Sequence, residues 1–426
     1  MNSNFNNVFD SFTKSILSTS EKNYRDKFQK SYLNEHHSME STNSRIALDD
    51  INSQINMYSS DFFIEQAIKQ FRELVGKEGK YKDRETIGTH PDFTDLEKTD
   101  DIENHYIVSM FVDIKNSTSI YLKTNDLAWT KFFKNTVLRI ITIFMRVFDG
   151  HIHRLQGDAV FSFFGWKDKC EEDAIIDSLN AASFLLYYIE NRLNQELEND
   201  GLASLKIRIG IDFGKKDDVL WSEYGLNPAT EVTTTSLHTD LAAKLQNKAP
   251  SNGILIGNNI KEFLDLPDEF LGIKTYQKNH EKVEDKYILE KPEKRYRMWI
   301  FKHQNYLKYF PYLHHKDFNL LCQINEEKFY YPNLSALEKE QSLKYIVENA
   351  PSIPEQIITI TDYRWSKENR GNEAREAGSD GKLKASRSFK NTANEGTSYR
   401  GHHIMKCEIL KRGKVDKTLE FGIFIK

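Results

Sequence analysis

The feature that most constrains the fold is the run YIVSMFV at residues 106–112, which contains no charged residue. A strand of this kind is buried on both faces, so the run predicts an inner strand of a covered sheet. Asp113 follows at once, and then the small polar residues Asn116, Ser117 and Thr118. An acid at a strand end beside a turn rich in backbone N–H groups suits a metal-bound phosphate, because the acid holds the cation and the amides face the anion. An aspartate that only caps a turn gives the same pattern.

The next segments predict a strand, helix, hairpin, helix, strand order. Apolar residues at helical spacing indicate helices over 126–148 and 171–198, and LKIRIGIDFG indicates a strand over 205–214. Between the helices, HIHRLQGDAVFSFFG at 151–165 alternates on both sides of Gly157 and Asp158, which is typical of a hairpin with a two-residue turn. The order matches a ferredoxin-like α+β sheet.

The predicted topology brings two acids together. Asp113 and Asp158 are 45 residues apart in sequence, but the end of the first strand lies beside the hairpin turn in this fold. Two carboxylates that meet there form a hard oxygen site suited to Mg²⁺ or Mn²⁺, and two such ions support phosphoryl chemistry without a covalent protein intermediate. A plain hairpin remains the alternative.

Composition gives the setting. The chain has 426 residues, 29% charged, with a formal net charge of -4, so nothing attracts it globally to nucleic acid or to an acidic membrane. No apolar run reaches the roughly 18 residues that would cross a bilayer, and the N-terminus has no signal-peptide pattern. Cys170, Cys322 and Cys407 are scattered, which predicts neither disulfides nor a zinc site. We therefore expect a cytoplasmic protein without nucleic-acid or membrane partners.

FVDIKNST and HIHRLQGDAVFSFF resemble the two metal-binding segments of class III nucleotidyl cyclases, and the similarity extends through IRIGIDFG and EVTTTSLHTDLAAKLQ over residues 100–265. The resemblance implies a homodimer with active sites at its interface, which convert a nucleoside triphosphate into a 3′,5′-cyclic monophosphate and pyrophosphate. It implies that Asp113, Asp158 and the carbonyl of Ile114 bind two Mn²⁺ or Mg²⁺ ions. It also implies that residues 116–118 present backbone amides to the phosphates.

Base selection departs from the purine enzymes of that family. They place Lys or Glu three residues before the hairpin glycine, where this chain has Arg154 before Gly157, and an Asp or Cys where it has Thr233. Arginine donates hydrogen bonds and accepts none, so it cannot serve the N1–H and N2–H groups of guanine. It can donate to O4 of uracil or to N3 or O2 of cytosine, which favours a pyrimidine, with UTP slightly ahead of CTP. Alternatively, Arg154 pairs with a phosphate or a neighbouring acid.

The last helix of the similarity also departs from the family pattern. Active class III enzymes commonly carry Asn and Arg four residues apart, for the ribose and the charge on the α-phosphate, and the aligned residues here are Asp240 and Lys244. Lysine keeps the charge but loses the planar fork, and an aspartate near a triphosphate repels it. The enzyme is then slow, or it places this helix differently. Alternatively, Asp240 is an ordinary solvent-facing helix residue.

The remaining segments predict three further regions. Residues 1–99 form a polar segment with one amphipathic helix, whose apolar residues are Phe62, Phe63, Ala67, Phe71 and Leu74. Residues 266–345 are interpreted as a helical connector, in which the adjacent His314 and His315 face apart and are a poor chelate. Residues 346–426 alternate as strands and are interpreted as a small all-β domain.

Residues 346–426 resemble the Ig-like sensor domain at the C-terminus of cyclases and nucleotidyltransferases of bacterial defence systems. Together with Arg154 and Thr233, this implies a pyrimidine cyclase of the Pycsar antiphage type, whose cyclic product activates a separate effector. The alternatives are an adenylate cyclase and a catalytically inactive, cyclase-like module that binds a nucleotide.

Overall fold

The computed structural model describes residues 7–10, 13, 64–82, 87–117, 127–199, 204–278, 281–285, 287–288, 295–315, 317–349, 360–382 and 386–426. Its main α-helices are α1 (64–74), α2 (Leu127–Val147), α3 (Glu171–Tyr188), α4 (Asn194–Asn199), α5 (Leu237–Lys248), α6 (Asn258–Leu264), α7 (His303–Leu307), α8 (Pro311–His314) and α9 (Asn372–Glu376). A π-helical turn, Ile189–Leu193, joins α3 to α4.

Two groups of strands follow one another along the chain. The first is β1 (Ile102–Asn104), β2 (Ile107–Ile114), β3 (His151–Gln156), β4 (Ala159–Phe164), β5 (Ile207–Gly214), β6 (Leu220–Leu226), β7 (Ala229–Thr235), β8 (Gly253–Gly257), β9 (Leu271–Ile273), β10 (Thr275–Lys278), β11 (Glu281–Glu284), β12 (Tyr287–Ile288), β13 (Arg295–Tyr296) and β14 (Met298–Phe301). The second is β15 (Phe318–Ile324), β16 (Lys328–Tyr330), β17 (Ala336–Leu337), β18 (Ser342–Asn349), β19 (Ile360–Asn369), β20 (Gly381–Lys382), β21 (Ser386–Ser388), β22 (Thr392–Gly396), β23 (Gly401–Lys411) and β24 (Lys414–Ile425).

A seven-stranded sheet with the order β3-β4-β2-β5-β8-β14-β9 forms the centre of the N-terminal part. The apolar run at residues 106–112 supplies β2, which lies between β4 and β5 as an inner strand. The chain passes through strand, helix, hairpin, helix and strand in the order that the sequence predicts, and each of these elements ends within a few residues of its predicted limits. The fold is therefore a mixed α+β structure.

The two faces of this sheet carry different layers. Alternate residues of β2, such as Val108 and Val112, are fully buried in the core that contains α2 and α3. The intervening residues face α5, since the Ser109 hydroxyl hydrogen-bonds to Thr239 of that helix. Asp113 lies on the same face as Ser109, because side chains alternate along a strand. The candidate site is therefore on the α5 side of the sheet.

A three-stranded arm with the order β1-β6-β7 extends from this domain. A small core anchors it, in which Trp221 of β6 stacks on Phe93 with ring centroids 3.9 Å apart and lies against Phe163 of β4. Because the arm is anchored to β4, its third strand, β7, lies close to the β3–β4 hairpin.

The amphipathic helix of the first hundred residues is present as α1, where Ala67 and Phe71 are buried and Leu74 packs against the same core. Phe62 and Phe63 lie outside the described residues. The helix is tied to the domain by a buried ion pair of 2.7 Å between Arg72 and Asp149.

The prediction of a helical connector over residues 266–345 is wrong. In the described residues this region consists mainly of strands, and its α-helices are only α7 and α8. In β15 the buried residues alternate with less buried ones, which is the period of a strand. Within 303–314 the chain forms two short helices rather than one, and the second begins at Pro311, whose ring cannot continue a helix from the residues before it.

The C-terminal part contains two sheets, β16-β15-β18-β22 and β17-β24-β23-β19-β20, with β21 paired to β19. Cys322, Tyr345, Cys407 and Phe421 are among the buried residues of the core that these sheets share. The predicted boundary at residue 346 is wrong, because it falls within β18, which pairs with β15 and β22. A tight turn joins β23 to β24 at Arg412 and Gly413, which are both at positive φ.

Candidate active site

Asp113 is held in place by two donors that the sequence analysis did not identify. It lies at the end of β2 opposite Arg208 of β5, and Nη2 of Arg208 donates to Oδ2 of Asp113 at 2.5 Å. Nε2 of Gln246 in α5 donates to the same oxygen at 3.1 Å. Arg208 also donates to the backbone carbonyl of Asn247, which ties the site to the C-terminal end of α5. The signal for Arg208 was its position as the one charged side chain among the apolar strand residues of IRIGI, 207–211.

Asp158 lies next to Asp113 across the sheet. Asp113 pairs with Ala159 of β4, so Asp158 at the adjoining hairpin turn is brought to the same end of the sheet. Gln156 pairs with Ala159, which leaves the two-residue turn that the sequence predicts. Gly157 has a φ of +67°, a left-handed conformation that glycine adopts without steric cost.

The electrostatics agree with this proximity. Burial raises the pKa of the Asp113 carboxyl above its ordinary value. The hydrogen bond from Arg208 opposes the increase, and the charge of Asp158 adds to it. A cation between the two carboxylates would offset the repulsion that the charge of Asp158 exerts on Asp113.

Asp158 provides the test of whether the residues fit a cation. Its Oδ2 atom is buried and has no hydrogen-bond partner. A buried carboxylate oxygen without a donor is costly, and oxygen ligands of this type are those that Mg²⁺ and Mn²⁺ prefer. Among the described residues no group of three or more His, Cys, Asp and Glu side chains is arranged as a metal site. Two carboxylates and a carbonyl such as that of Ile114 fit an ion that also takes ligands from a substrate.

The predicted phosphate-facing turn begins directly after Asp113 and Ile114. Asn116 is exposed and has a φ of +60°, and Ser117 is partly exposed. Thr118 lies outside the described residues. A left-handed residue in a turn brings successive backbone N–H groups toward one side, which is the arrangement that receives anions.

Arg154 pairs with Glu231, an acid that was not among the site residues predicted from the sequence. Its guanidinium forms an ion pair with Glu231 of β7, and both side chains are 43% exposed. Thr233 is two residues further along the same strand, so it lies on the same face as Glu231. The hairpin and the arm thus place a donor, Arg154, beside an acceptor, Glu231, with Thr233 next to them.

Asp240 and Lys244 are exposed on α5, whereas Gln246 of the same helix is buried and contacts Asp113. Asp240 lies in the first turn of the helix, and Lys244 is one turn further on. Within one chain, the structure therefore brings Gln246 to the carboxylates rather than the two residues that the sequence analysis selected. For Asp240, this is the solvent-facing position that was its alternative.

Comparison with known proteins assigns the two parts of the chain. Residues 300–426 match the family model described as the Adenylyl/Guanylyl and SMODS C-terminal sensor domain. A cytidylate cyclase from Staphylococcus aureus is 40% identical over 84% of this chain and 87% of its own length. A cytidylate cyclase from Escherichia coli is 33% identical over 73% of this chain and 66% of its own length.

Solved structures show weaker similarity. The adenylyl cyclase CyaB from P. aeruginosa has 17% identity and a TM-score of 0.38, over 47% of this chain and 95% of that one. The guanylyl cyclase Cya2 also has 17% identity, with a TM-score of 0.35, over 47% of this chain and 92% of that one.

The relatives and the family model define the chain as a nucleotidyl cyclase with a C-terminal sensor domain. The chain belongs to the family of bacterial nucleotidyl cyclases that these cytidylate cyclases represent. Among the described residues, no helix has the length and apolar character needed to cross a membrane.

Proposed function

We propose that this protein is a pyrimidine nucleotidyl cyclase that converts CTP into 3′,5′-cyclic CMP and pyrophosphate. The observation that carries the proposal is the convergence of Asp113 and Asp158, with a buried oxygen of Asp158 left without a donor. The names of the relatives at 40% and 33% identity support CTP rather than UTP, which the arginine alone favoured slightly. UTP remains the second pyrimidine to test.

Asp113, Asp158 and the carbonyl of Ile114 would hold two divalent ions, Mn²⁺ or Mg²⁺. Such ions promote loss of the proton from the attacking 3′-hydroxyl and offset negative charge on the phosphates. The protein's own contribution is orientation. Arg208 and Gln246 fix one oxygen of Asp113, and the backbone amides of residues 116–118 would orient the triphosphate.

Arg154, Thr233 and the turn at Gly157 would form the base pocket. The guanidinium can donate to N3 and O2 of cytosine, and the Glu231 carboxylate beside it can accept from the 4-amino group. A donor next to an acceptor therefore matches the edge of cytosine. Uracil offers O4 and N3–H to the same pair, so only measurement with both triphosphates separates the two bases.

The helix residues Asp240 and Lys244 would act across a homodimer. Both are exposed in the single chain, which is expected of residues that complete the site of a partner chain. Lys244 would carry positive charge to the α-phosphate, and Asp240 would face the ribose hydroxyls. Leu226, at the tip of the β6–β7 arm, is 83% exposed and offers apolar surface to such a partner.

The finer assignments rest on the same resemblance. We propose that residues 100–265 contain the ferredoxin-like cyclase core and that the C-terminal sheets form an Ig-like sensor domain, which gates synthesis in response to phage infection. In that role the protein would work in the cytoplasm, and the cyclic nucleotide would reach a separate effector. Neither nucleic acid nor a membrane enters the proposed reaction.

The test is incubation of the purified full chain with Mn²⁺ and each of the four nucleoside triphosphates, with products identified by mass spectrometry. Cyclic CMP as the main product is the expected result. Cyclic UMP would retain the pyrimidine assignment and exchange the base, whereas cyclic AMP would establish the adenylate alternative. The absence of any product would favour a nucleotide-binding module. The lack of turnover would then be explained by the exposure of Asp240 and Lys244 in one chain.

A further inference from the structure

Helix α5 packs on the sheet through apolar residues such as Leu245, which contacts β8 and β14, and also through its own backbone. On β5 the residues that face it are Gly210, Asp212 and Gly214. A Cβ atom at Gly210 would lie 2.1 Å from the backbone nitrogen of Gln246 and 2.3 Å from the carbonyl of Ala242. The helix therefore touches the strand directly, and specific polar contacts set its register.

Asp212 makes the most deeply buried of these contacts. Its side chain has no exposed surface, and it accepts hydrogen bonds from three donors. These are Nδ1 of His238 at 3.0 Å, the hydroxyl of Tyr296 at 2.7 Å and the backbone N–H of Phe213 at 2.9 Å. Glycine at 257 leaves room for the contact, because a Cβ there would lie 2.0 Å from Oδ1 of Asp212.

His238 connects this carboxylate to the first turn of α5. Its Nδ1 contacts Asp212, and its Nε2 lies 3.2 Å from the side-chain amide nitrogen of Asn259. Asn259 also donates to the carbonyl of Phe213, so its amide can serve as donor on both sides. With Asn259 donating to Nε2, His238 carries its proton on Nδ1 and donates it to Asp212.

Two further tethers hold α5 at defined points. The hydroxyl of Thr239 lies 2.9 Å from that of Ser109 on β2 and 2.9 Å from that of Thr234 on β7. Gln246, two turns further along, reaches the Asp113 carboxylate. The exposed Asp240 and Lys244 lie between these tethers, so the tethers set where both side chains stand on the surface that would meet a partner chain.

Tyr296 extends the chain of contacts toward the C-terminal domain. It ends β13, and β14 begins two residues later at Met298. β14 runs into the region that matches the sensor-domain model, which starts at residue 300. The segment that leads into the C-terminal domain therefore contacts the carboxylate that holds α5.

We propose that Tyr296, Asp212 and His238 are positioning residues that fix the register of α5 for cyclisation and link that register to the segment entering the C-terminal domain. The proposal rests on the proposed cyclase function, since α5 carries Asp240 and Lys244. None of the three residues touches the reacting atoms. Their effect is on geometry, and small displacements of groups that stabilise a transition state are expensive in rate.

The test compares Tyr296→Phe with the matched control Tyr309→Phe in the full-length protein. Each change removes one hydroxyl that donates to a carboxylate, Asp212 in the first case and Glu269 in the second, and only the first carboxylate contacts α5. For Tyr296→Phe we expect kcat with CTP to fall by about tenfold or more, with KM changed much less. Hydrogen exchange of the α5 amides should become faster, and Tyr309→Phe should show neither effect.

A second pair of variants keeps the test independent of folding. His238→Asn keeps a donor near the position of Nδ1, whereas His238→Leu removes it, so the asparagine variant should recover much of the kcat that the leucine variant loses. Unchanged kcat and unchanged α5 exchange in a folded Tyr296→Phe protein would overturn the inference and leave the cyclase proposal standing. If the wild-type protein makes no cyclic nucleotide, the cyclase proposal fails, and the exchange measurement still decides whether the contacts hold α5.

Discussion

At the scale of single residues, the ionised carboxylate of Asp113 is expected to lower the stability of the fold while serving as a metal ligand. Its pKa is raised in the folded chain, so the ionised form is disfavoured there, and stability falls as the pH rises from the ordinary aspartate pKa through the higher folded one. In Asp113→Asn the amide oxygen can still accept from Arg208 and Gln246. We expect the melting temperature at pH 7 to stay the same or rise, while cyclase activity falls by roughly a thousandfold as the metal ligand is lost.

Asp268→Asn is the control for that experiment, because Asp268 is 93% exposed and far less constrained. It should change neither the melting temperature nor the activity. Substantial activity in a folded Asp113→Asn protein would contradict the assignment of Asp113 as a metal ligand.

A substitution in the ion pair between Arg154 and Glu231 should change the preference for one base over another without changing the stability of the fold. Both side chains are 43% exposed, and ion pairs at such positions contribute about 1 kcal/mol or less. In Glu231→Gln the acceptor weakens and Arg154 is no longer held by charge. We expect kcat/KM for CTP to fall about tenfold relative to UTP, measured by product formation from each triphosphate, with little change in melting temperature.

Glu408→Gln provides the comparison, because Glu408 pairs with Arg364 at 3.0 Å in the C-terminal domain. It should leave the ratio of CTP to UTP turnover unchanged. An equal loss with both substrates in Glu231→Gln would assign Glu231 a role outside base selection.

The sequence predicted where the two acids of the candidate site lie, but not the residues that contact them. Asp113 and Asp158 follow from local pattern, a strand end and a hairpin turn. The contacts of the other site residues depend on strand register for Arg208, on the docking of a helix for Gln246 and on the docking of the arm for Glu231. Each contact joins residues that are 77 to 133 positions apart in sequence. Local periodicity carries no information about such distant contacts.

At the scale of elements, β3 depends on histidines that are buried in the neutral form. Burial lowers the pKa of His153 from 6.5 to about 4, against a hydrogen bond from the ring to the Gly88 carbonyl that raises it. Burial also lowers the pKa of His90, whose ring centroid lies 5.0 Å from that of His151. These side chains connect β3, which carries Arg154, to the segment at 87–90.

A histidine with a lowered folded pKa contributes stability that is complete above pH 6.5 and lost as the pH falls toward 4. For His153 the loss between pH 7 and pH 5 is about 2 kcal/mol. In His153→Asn, which keeps a donor for Gly88, the fall in the free energy of unfolding over this interval should be smaller by that amount in denaturant titrations. His314→Asn, at an exposed helix end, should keep the full pH dependence, and an unchanged dependence in His153→Asn would refute the prediction.

Long elements with a clear period were predicted well, and short ones were not. The 21 residues of α2 and the 18 of α3 repeat their apolar positions over several turns. β14 has four residues and β9 three, and the aromatic residues between 303 and 314 fit no single period. Whether such a segment forms a strand or a helix is decided by its neighbours in space.

At the scale of the whole molecule, the central sheet does not end at the predicted domain boundary of residue 265. β8 pairs with β5 on one side and with β14 on the other, and β14 also pairs with β9. Trp299 and Phe301 of β14 belong to the main core. The residues after 265 therefore complete the sheet that carries the candidate site.

This arrangement predicts different outcomes for two truncations. A chain that ends at residue 265 lacks β14 and β9, which exposes the edge of β8 and part of the main core, so it should aggregate. A chain that ends at residue 315 keeps both strands together with α7 and α8, whose buried Tyr306 donates to Asn180 of α3. It should give a soluble product with a cooperative thermal transition by circular dichroism, at a lower temperature than the full chain.

The lower transition follows from the contacts that the second truncation removes. The side chain of Asn180 donates to the Asn333 carbonyl, and Asp173 accepts from the backbone of Ala336, so two points of α3 lose partners in the C-terminal domain. Each hydrogen bond lost in this way contributes about 1 kcal/mol to stability. A chain ending at 265 that melts cooperatively would show instead that the first five strands of the sheet fold without β14, and that the C-terminal domain is an independent addition.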